Sequence, residues 1–123
     1  MADGQKHFLT LDDCPGAALE RLVARAIEMK RAETRAQTQN LLAGKTLIMV
    51  FEKSSTRTRV SFEVAMRQLG GHAISLLSKD TQMGRGEPIE DSARVLSAMC
   101  DALMLRTTEH ERLLRFALSL IHI

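Results

Sequence analysis

A chain of 123 residues, of which 45% are hydrophobic, is long enough for one domain with its own core. The formal net charge at pH 7 is only +2, and the 17 basic residues are interspersed with 15 acidic ones, which argues against the concentrated basic face of a nucleic-acid-binding protein. Aromatic residues account for 3% of the chain, with no Trp or Tyr, so few side chains are available to stack on bases.

The cysteines and the amino terminus bear on the cellular compartment. Cys14 and Cys100 lie in no CxxC pair and near no cluster of histidines, a pattern that predicts reduced thiols and neither a disulfide framework nor a zinc site. The stretch from Met1 to His7 has no apolar segment of the kind found in a secretory signal, and no apolar run approaches the ~20 residues needed to span a bilayer. We therefore expect a cytoplasmic protein that does not associate with a membrane.

The first predicted element is a helix that begins near Asp13 and Pro15, because an Asp cap followed by Pro in the first turn is typical of a helix start. It extends to about Arg35. Its apolar side chains form one stripe, which consists of Leu19, Leu22, Val23, Ala26 and Ile27. We expect this stripe to pack into the core, since a chain of this length needs each apolar helix face for its own interior.

A short apolar run, Thr46 to Phe51, is rich in strand-forming residues and predicts the first strand. It follows Gly44-Lys45-Thr46, which resembles the end of a Walker A loop. That motif would require a glycine at the position of Gln39 and would follow its strand, whereas here it precedes the strand. Gly44 and Lys45 are therefore predicted to form a plain turn.

The polar segment after this strand is the candidate site. Its hydroxyl and cationic side chains are Ser54, Ser55, Thr56, Thr58, Lys53, Arg57 and Arg59. A helical pattern follows, and a helix N-terminus presents unpaired N–H groups and a partial positive charge that favour a phosphate. The alternative is that Ser55 or Thr56 only caps the helix and that the arginines are solvated. The crowding of donors after a buried strand favours an anion site, since α/β folds place ligands at such loops.

The two arginines of this segment are not equivalent. Arg57 and Arg59 lie two positions apart, so on a regular helix they point about 200° apart and cannot both face one ligand. Arg59 stands four residues before Glu63, a spacing that allows an ion pair within the helix. Arg57 is therefore the better candidate for binding phosphate.

Beyond this helix, Gly70-Gly71 predicts a stop and His72 to Leu77 a second strand. Strand, helix and strand in this order predict a right-handed unit with parallel strands. The polar stretch from Ser78 to Pro88 is either an ordinary connection or a functional loop, and the residues favour neither.

A second helix from Pro88 and a third strand from Asp101 to Arg106 follow, and then a short helix from Glu111 to Leu118. The pattern predicts an α/β fold with three layers, in which a parallel sheet carries helices on both faces. Ligands of such sheets bind beyond the carboxyl ends of the strands, where Arg57 and Arg106 could reach one rim. For Arg106 a solvated surface position is the equally supported alternative.

The stretch from Phe51 to Met66, followed by Leu69-Gly-Gly71, resembles the carbamoyl-phosphate signature of the aspartate/ornithine carbamoyltransferases. Gly86 to Leu96 and the lysine at position 53 are more similar to the ornithine branch. The resemblance covers roughly residues 8–117. It implies transfer of the carbamoyl group of carbamoyl phosphate to the δ-amine of ornithine, which gives citrulline and phosphate without a metal ion or cofactor.

The resemblance also implies the roles of individual residues. Those that would bind carbamoyl phosphate are Ser55, Thr56, Arg57, Thr58, Gln82 and Arg106, with Arg57 and Arg106 in the catalytic role. In the family, the loop that matches Gln82 reaches into a neighbouring subunit, which implies a homotrimer. The reaction would place the protein in arginine metabolism, in either synthesis or breakdown.

The domain organisation that follows is a partial carbamoyl-phosphate-binding domain over residues 1–117 and a non-matching tail over residues 118–123. The His-Pro-x-Gln motif of the family and its later motifs are not found, so we expect the amino-acid-binding domain to be absent through truncation, and the isolated chain to be inactive. Ornithine would bind only through that domain. The alternatives are a donor domain of the aspartate type, a relative that uses a modified ornithine, and a non-catalytic anion-binding or interaction fragment.

Overall fold

Three parallel strands form one sheet in a computed structural model of the chain, which describes residues 7–81 and 85–121. In chain order, the elements of these residues are a 3-10 turn at Leu11–Asp13, α1 (Gly16–Lys30), α2 (Ala32–Thr38), β1 (Thr46–Phe51), α3 (Thr56–Gln68), β2 (His72–Leu77), a 3-10 turn at Ser78–Asp80, α4 (Ile89–Ser97), β3 (Ala102–Arg106) and α5 (His110–Leu118). None of the described helices is long and apolar enough to cross a membrane. The chain divides into two compact units, Met1–Gln39 and Asn40–Ile123.

The sheet of the second unit has the strand order β2-β1-β3, with β1 in the centre. Phe51 at the end of β1 pairs with Leu77 of β2 and with Arg106 of β3. The three strands therefore end level with one another, and the loops that follow them leave from one edge of the sheet. This edge is called the carboxyl edge below.

Successive strand residues point to opposite sides of the sheet, so apolar side chains lie on both faces, and helices cover both. One core cluster contains Leu47, Met49, Phe51 and Met66, and thus joins β1 to α3. The other contains Ile89, Ala93 and Phe116, packed against Leu103, Leu105 and Leu120, and thus joins α4 and α5 to β3. The predicted α/β fold with three layers and a parallel sheet is confirmed.

Glycines shape the turn between α3 and β2, as the sequence predicted. Gly70 has φ +84°, a left-handed conformation that residues with a Cβ rarely adopt. Gly71 is needed for space: a Cβ there would lie 2.6 Å from the Cε of Met66 and 3.1 Å from the carbonyl oxygens of Leu42 and Lys45. The glycine pair therefore ends α3 and lets β2 start close to the turn before β1.

The amino-terminal unit differs from the prediction in two ways. The backbone is extended at Arg31, with φ −69° and ψ 143°, so the predicted single helix is two helices. The expectation that the apolar stripe of α1 packs into a core is wrong, since Leu22, Val23 and Ile27 are 45%, 54% and 57% exposed. The physical reason is the length of the two helices. Within this unit α2 has 7 residues and α1 has 15, so α2 is too short to cover the whole apolar stripe of α1.

Candidate functional site

The first turn of α3 lies at the carboxyl edge of the sheet, because only the loop Glu52–Ser55 separates it from β1. Ser55 occupies the N-cap position with an extended backbone, φ −153° and ψ 96°, and its side chain makes no capping hydrogen bond. The first turn contains no acidic residue. The interpretation of Ser55 as a mere helix cap is therefore not supported, and the positive end of α3 has no carboxylate of its own turn to neutralise it.

Arg106 reaches the same turn from the neighbouring strand. Its Nη1 donates a hydrogen bond of 2.9 Å to Oγ1 of Thr58, 48 positions earlier in the chain. The contact follows from the register, since Arg106 pairs with Phe51 and both side chains point to the face that α3 covers. The end of β3 and the start of α3 thus place a guanidinium beside a helix N-terminus.

The other predicted site residues that the structure describes lie in or next to this turn. Thr56 and Arg57 are exposed, and Ser55 and Thr58 are half-buried. Within the part of the chain that the structure describes, no ion pair or side-chain hydrogen bond engages Arg57, which leaves its guanidinium available to a ligand. Gln82 lies outside the described residues.

Arg59 is engaged in the way that its spacing predicted. Its Nε lies 3.2 Å from Oε1 of Glu63, one turn further along α3. The same carboxylate oxygen accepts a hydrogen bond of 2.6 Å from Ser75 Oγ of β2. The bonds from Ser75 and Arg59 hold the pKa of Glu63 below its ordinary value. Arg59 therefore helps to attach α3 to β2, while Arg57 faces elsewhere.

A cavity of about 260 Å³ opens between α3 and the end of β2. The residues that line it are Phe51, Ser54, Ser55, Thr56, Arg59, Val60, Glu63, Ser75, Leu76 and Leu77. Its wall thus combines an apolar floor from the strands with the hydroxyl groups of the loop before α3. Within the described residues, no group of three or more His, Cys, Asp or Glu side chains is placed to hold a metal ion.

Glu52 is a residue of this edge that sequence reasoning missed. It directly follows β1, and its carboxylate accepts hydrogen bonds from Thr107 Oγ1 at 2.6 Å and from Arg112 Nε and Nη2 at 2.8 and 2.6 Å. The Glu52 side chain is 13% exposed and that of Arg112 is 33% exposed. Burial alone would raise the pKa of Glu52, but the hydrogen bonds and the charge of Arg112 outweigh it and lower this pKa. A local signal did exist, because the carboxylate directly follows a buried strand and directly precedes Lys53.

Comparisons with known proteins agree on one family. The family model described as "Aspartate/ornithine carbamoyltransferase, carbamoyl-P binding domain" matches residues 6–122. The ornithine carbamoyltransferase of Psychrobacter sp. (strain PRwf-1) is 57% identical over 112 residues, which are 91% of this chain and 37% of that protein. That of Hydrogenovibrio crunogenus is 58% identical over 106 residues, which are 86% of this chain and 35% of that protein. The chain thus spans little more than a third of the length of these relatives.

Solved structures give the same result. The anabolic ornithine carbamoyltransferase of Campylobacter jejuni superposes with a TM-score of 0.84 at 48% identity, over 94% of this chain and 37% of that one. The catalytic subunit of M. jannaschii aspartate transcarbamoylase superposes with a TM-score of 0.78 at 32% identity, over 92% of this chain and 38% of that one. The fold is therefore shared by the ornithine and aspartate enzymes.

Proposed function

This chain belongs to the aspartate/ornithine carbamoyltransferase family, through its carbamoyl-phosphate-binding domain, and on that premise we propose that it binds carbamoyl phosphate at the first turn of α3 for carbamoyl transfer to ornithine. The observation that carries the proposal is the 2.9 Å bond from Arg106 to Thr58. It joins two segments, distant in the chain, at an uncapped helix N-terminus. A phosphate at this point would meet hydroxyl groups, backbone N–H groups and two guanidinium groups.

The position of each residue indicates which part of carbamoyl phosphate it would contact. The hydroxyl groups of Ser55, Thr56 and Thr58 and the first N–H groups of α3 would donate to the phosphate oxygens, which the helix N-terminus favours electrostatically. Arg57 would pair with the phosphate, since a guanidinium donates two parallel hydrogen bonds to it. Arg106 would reach the phosphate and the carbonyl oxygen from the end of β3.

Such an arrangement suits carbamoyl transfer. When a neutral amine attacks the carbonyl carbon, negative charge develops on the carbonyl oxygen and then on the departing phosphate. Donors that are already in place stabilise this charge without reorganising, and the loss of one typically costs about 10²–10³ in rate. Arg57 and Arg106 are therefore the residues with the catalytic role.

The choice of ornithine as the acceptor rests on the relatives. The curated relatives at 57% and 58% identity are named ornithine carbamoyltransferases, whereas the aspartate enzyme of known structure is 32% identical. In a protein of the relatives' length, the residues beyond this domain would bind ornithine. We infer that such a protein is a cytoplasmic homotrimer of arginine metabolism, in which the loop around Gln82 completes the site of a neighbouring subunit.

An aspartate carbamoyltransferase is the second candidate, because its catalytic subunit has the same fold. In a protein of the relatives' length, an acceptor assay separates the two, since citrulline forms with ornithine and carbamoyl aspartate with aspartate.

Titration of the 123-residue chain with carbamoyl phosphate by calorimetry tests the donor site itself. The loss of a charge-assisted hydrogen bond costs about 1.5–3 kcal/mol, so Arg57→Ala should weaken binding about 10- to 150-fold. Arg67→Ala is the matched control, since Arg67 is exposed in the last turn of the same helix and should bind as the wild type does. A folded wild-type chain that does not bind, or an Arg57→Ala variant that binds equally well, would refute the proposal.

A further inference from the structure

We propose that Arg112 is a positioning residue of the donor site, which holds the Glu52 carboxylate against α5 and so keeps this negative charge away from the bound phosphate. The inference rests on the proposed function, because it concerns the anion affinity of the same site. It assigns a role to a pair of residues that the binding of carbamoyl phosphate does not itself require.

Glu52 belongs to the carboxyl edge by its backbone. Its N–H donates a hydrogen bond of 2.9 Å to the carbonyl oxygen of Arg106, so the two residues are directly joined across β1 and β3. Lys53 follows Glu52 in the chain, and Ser55 begins the capping turn of α3 only three positions later. The backbone of Glu52 therefore lies next to the groups that would bind the phosphate.

The side chain nevertheless points to the opposite face of the sheet. Arg106 pairs with Phe51 and contacts Thr58 on the α3 side. Glu52 is one position beyond Phe51, so its side chain falls on the other side, where Thr107 and Arg112 bind it. Arg112 binds both carboxylate oxygens of Glu52: its Nε donates a hydrogen bond to each of them, and its Nη2 donates one to Oε1. This fork fixes the direction of the carboxylate as well as neutralising its charge.

Loss of Arg112 would leave the carboxylate with the hydrogen bond from Thr107 but without a cation, at a place where the sheet no longer separates its two faces. Lys53 is the next residue in the chain, and the backbone of Arg106 is hydrogen-bonded to that of Glu52, so both of these cations adjoin Glu52 at the proposed phosphate site. An unpaired Glu52 would compete with the ligand for these groups and lower the local positive potential. Arg112 thus acts on the site through Glu52 and needs no contact with the ligand.

A merely structural role of Arg112 predicts a different experimental result. If the pair only attached α5 to β1, the loss of Arg112 would lower stability and leave anion affinity unchanged. Arg115 supplies the comparison, since it forms an ion pair of 2.7 Å with Glu90 from the same helix, toward α4. Arg115→Gln should therefore reduce stability without changing phosphate binding.

Calorimetric titrations with carbamoyl phosphate and with inorganic phosphate, at low and at high salt, test the inference on the 123-residue chain. Arg112→Gln should weaken binding of both anions about tenfold at low salt, and less at high salt, as expected for one uncompensated charge near a partly exposed site. The double variant Glu52→Gln/Arg112→Gln should restore the affinity to within about twofold of the wild type, because it lacks the negative charge of the Glu52 carboxylate. Glu52→Gln alone should bind at least as tightly as the wild type.

Each outcome separates the inference from the function on which it rests. If the wild type binds and Arg112→Gln binds with equal affinity, the inference is overturned but the proposed function is not. The same holds if the double variant binds as weakly as Arg112→Gln, since Arg112 would then act on the ligand directly and not through Glu52. If Arg112→Gln does not fold, as circular dichroism would show, weakened binding by Glu52→Gln overturns the inference by itself. A folded wild-type chain that binds neither anion overturns the proposed function and the inference together.

Discussion

Replacing Arg106 with Met should weaken anion binding far more than it weakens the fold. The side chain is exposed, and within the described residues its guanidinium makes one side-chain hydrogen bond, of 2.9 Å, to Thr58. Met keeps an unbranched apolar stem and removes the guanidinium. The backbone pairing of β3 with β1 does not involve the side chain and should survive the change.

The two expected effects differ in size for a physical reason. An exposed hydrogen bond between uncharged and charged side chains exchanges with water, so its loss should cost about 0.5–1 kcal/mol of the free energy of unfolding. For a chain of this size, that lowers the melting temperature by about 2–6 °C. A hydrogen bond from a guanidinium to a bound phosphate contributes about 1.5–3 kcal/mol, so its loss should weaken binding about 10- to 150-fold.

Calorimetric titration with carbamoyl phosphate and thermal unfolding followed by circular dichroism measure both quantities on the same sample. Arg94→Met is the matched control, because Arg94 is an exposed residue of α4 whose ion pair with Asp91, 2.9 Å long, lies within its own helix. It should change neither quantity appreciably, since exposed pairs of this kind contribute little. An Arg106→Met variant that binds within about twofold of the wild type, or one that no longer unfolds cooperatively, would refute the reasoning.

Two further predictions concern the fold. Gly71→Ala should lower the free energy of unfolding by about 1–3 kcal/mol, because Met66 can move its terminal methyl but the two backbone carbonyls 3.1 Å from the new Cβ must shift. Urea unfolding measures this loss, and Gly16→Ala, with nothing within 4 Å of its new Cβ, should show none. The pKa of Glu52 is lowered on folding, so its contribution to stability is present above its ordinary value of about 4.5 and is lost as the pH falls through the folded-state pKa. Between neutral and acidic pH the wild type should therefore lose more stability than Glu52→Gln, and identical pH profiles would contradict the assignment.

The local part of the candidate site could be predicted because its residues are neighbours in the chain. An apolar run, a loop with hydroxyl groups and a helical pattern follow one another between Thr46 and Gln68, and each has its own periodicity or composition. The ion pair of Arg59 with Glu63 was predicted for the same reason, since four positions are one helical turn. The parallel order of the strands then brought Arg106 to the same edge of the sheet.

The failures came from elements whose environment is not encoded nearby. The apolar stripe of α1 looks like a core-facing stripe in the sequence, yet Leu22, Val23 and Ile27 are exposed. Amphipathicity shows which face seeks a partner but not whether the rest of the unit supplies one. The interruption of the helix at Arg31 was missed as well, because no Gly or Pro marks it.

The sequence by itself therefore determined the family, the order of the elements and the cluster of donors at the start of α3. Only the tertiary structure decided which side chains remain available at that cluster. Arg106 reaches Thr58 across 48 positions, Thr107 reaches Glu52 across 55, and Arg112 reaches it across 60. Contacts of this separation depend on the strand register and on the packing of α5, which arise from the whole core at once and leave no periodic pattern in the chain.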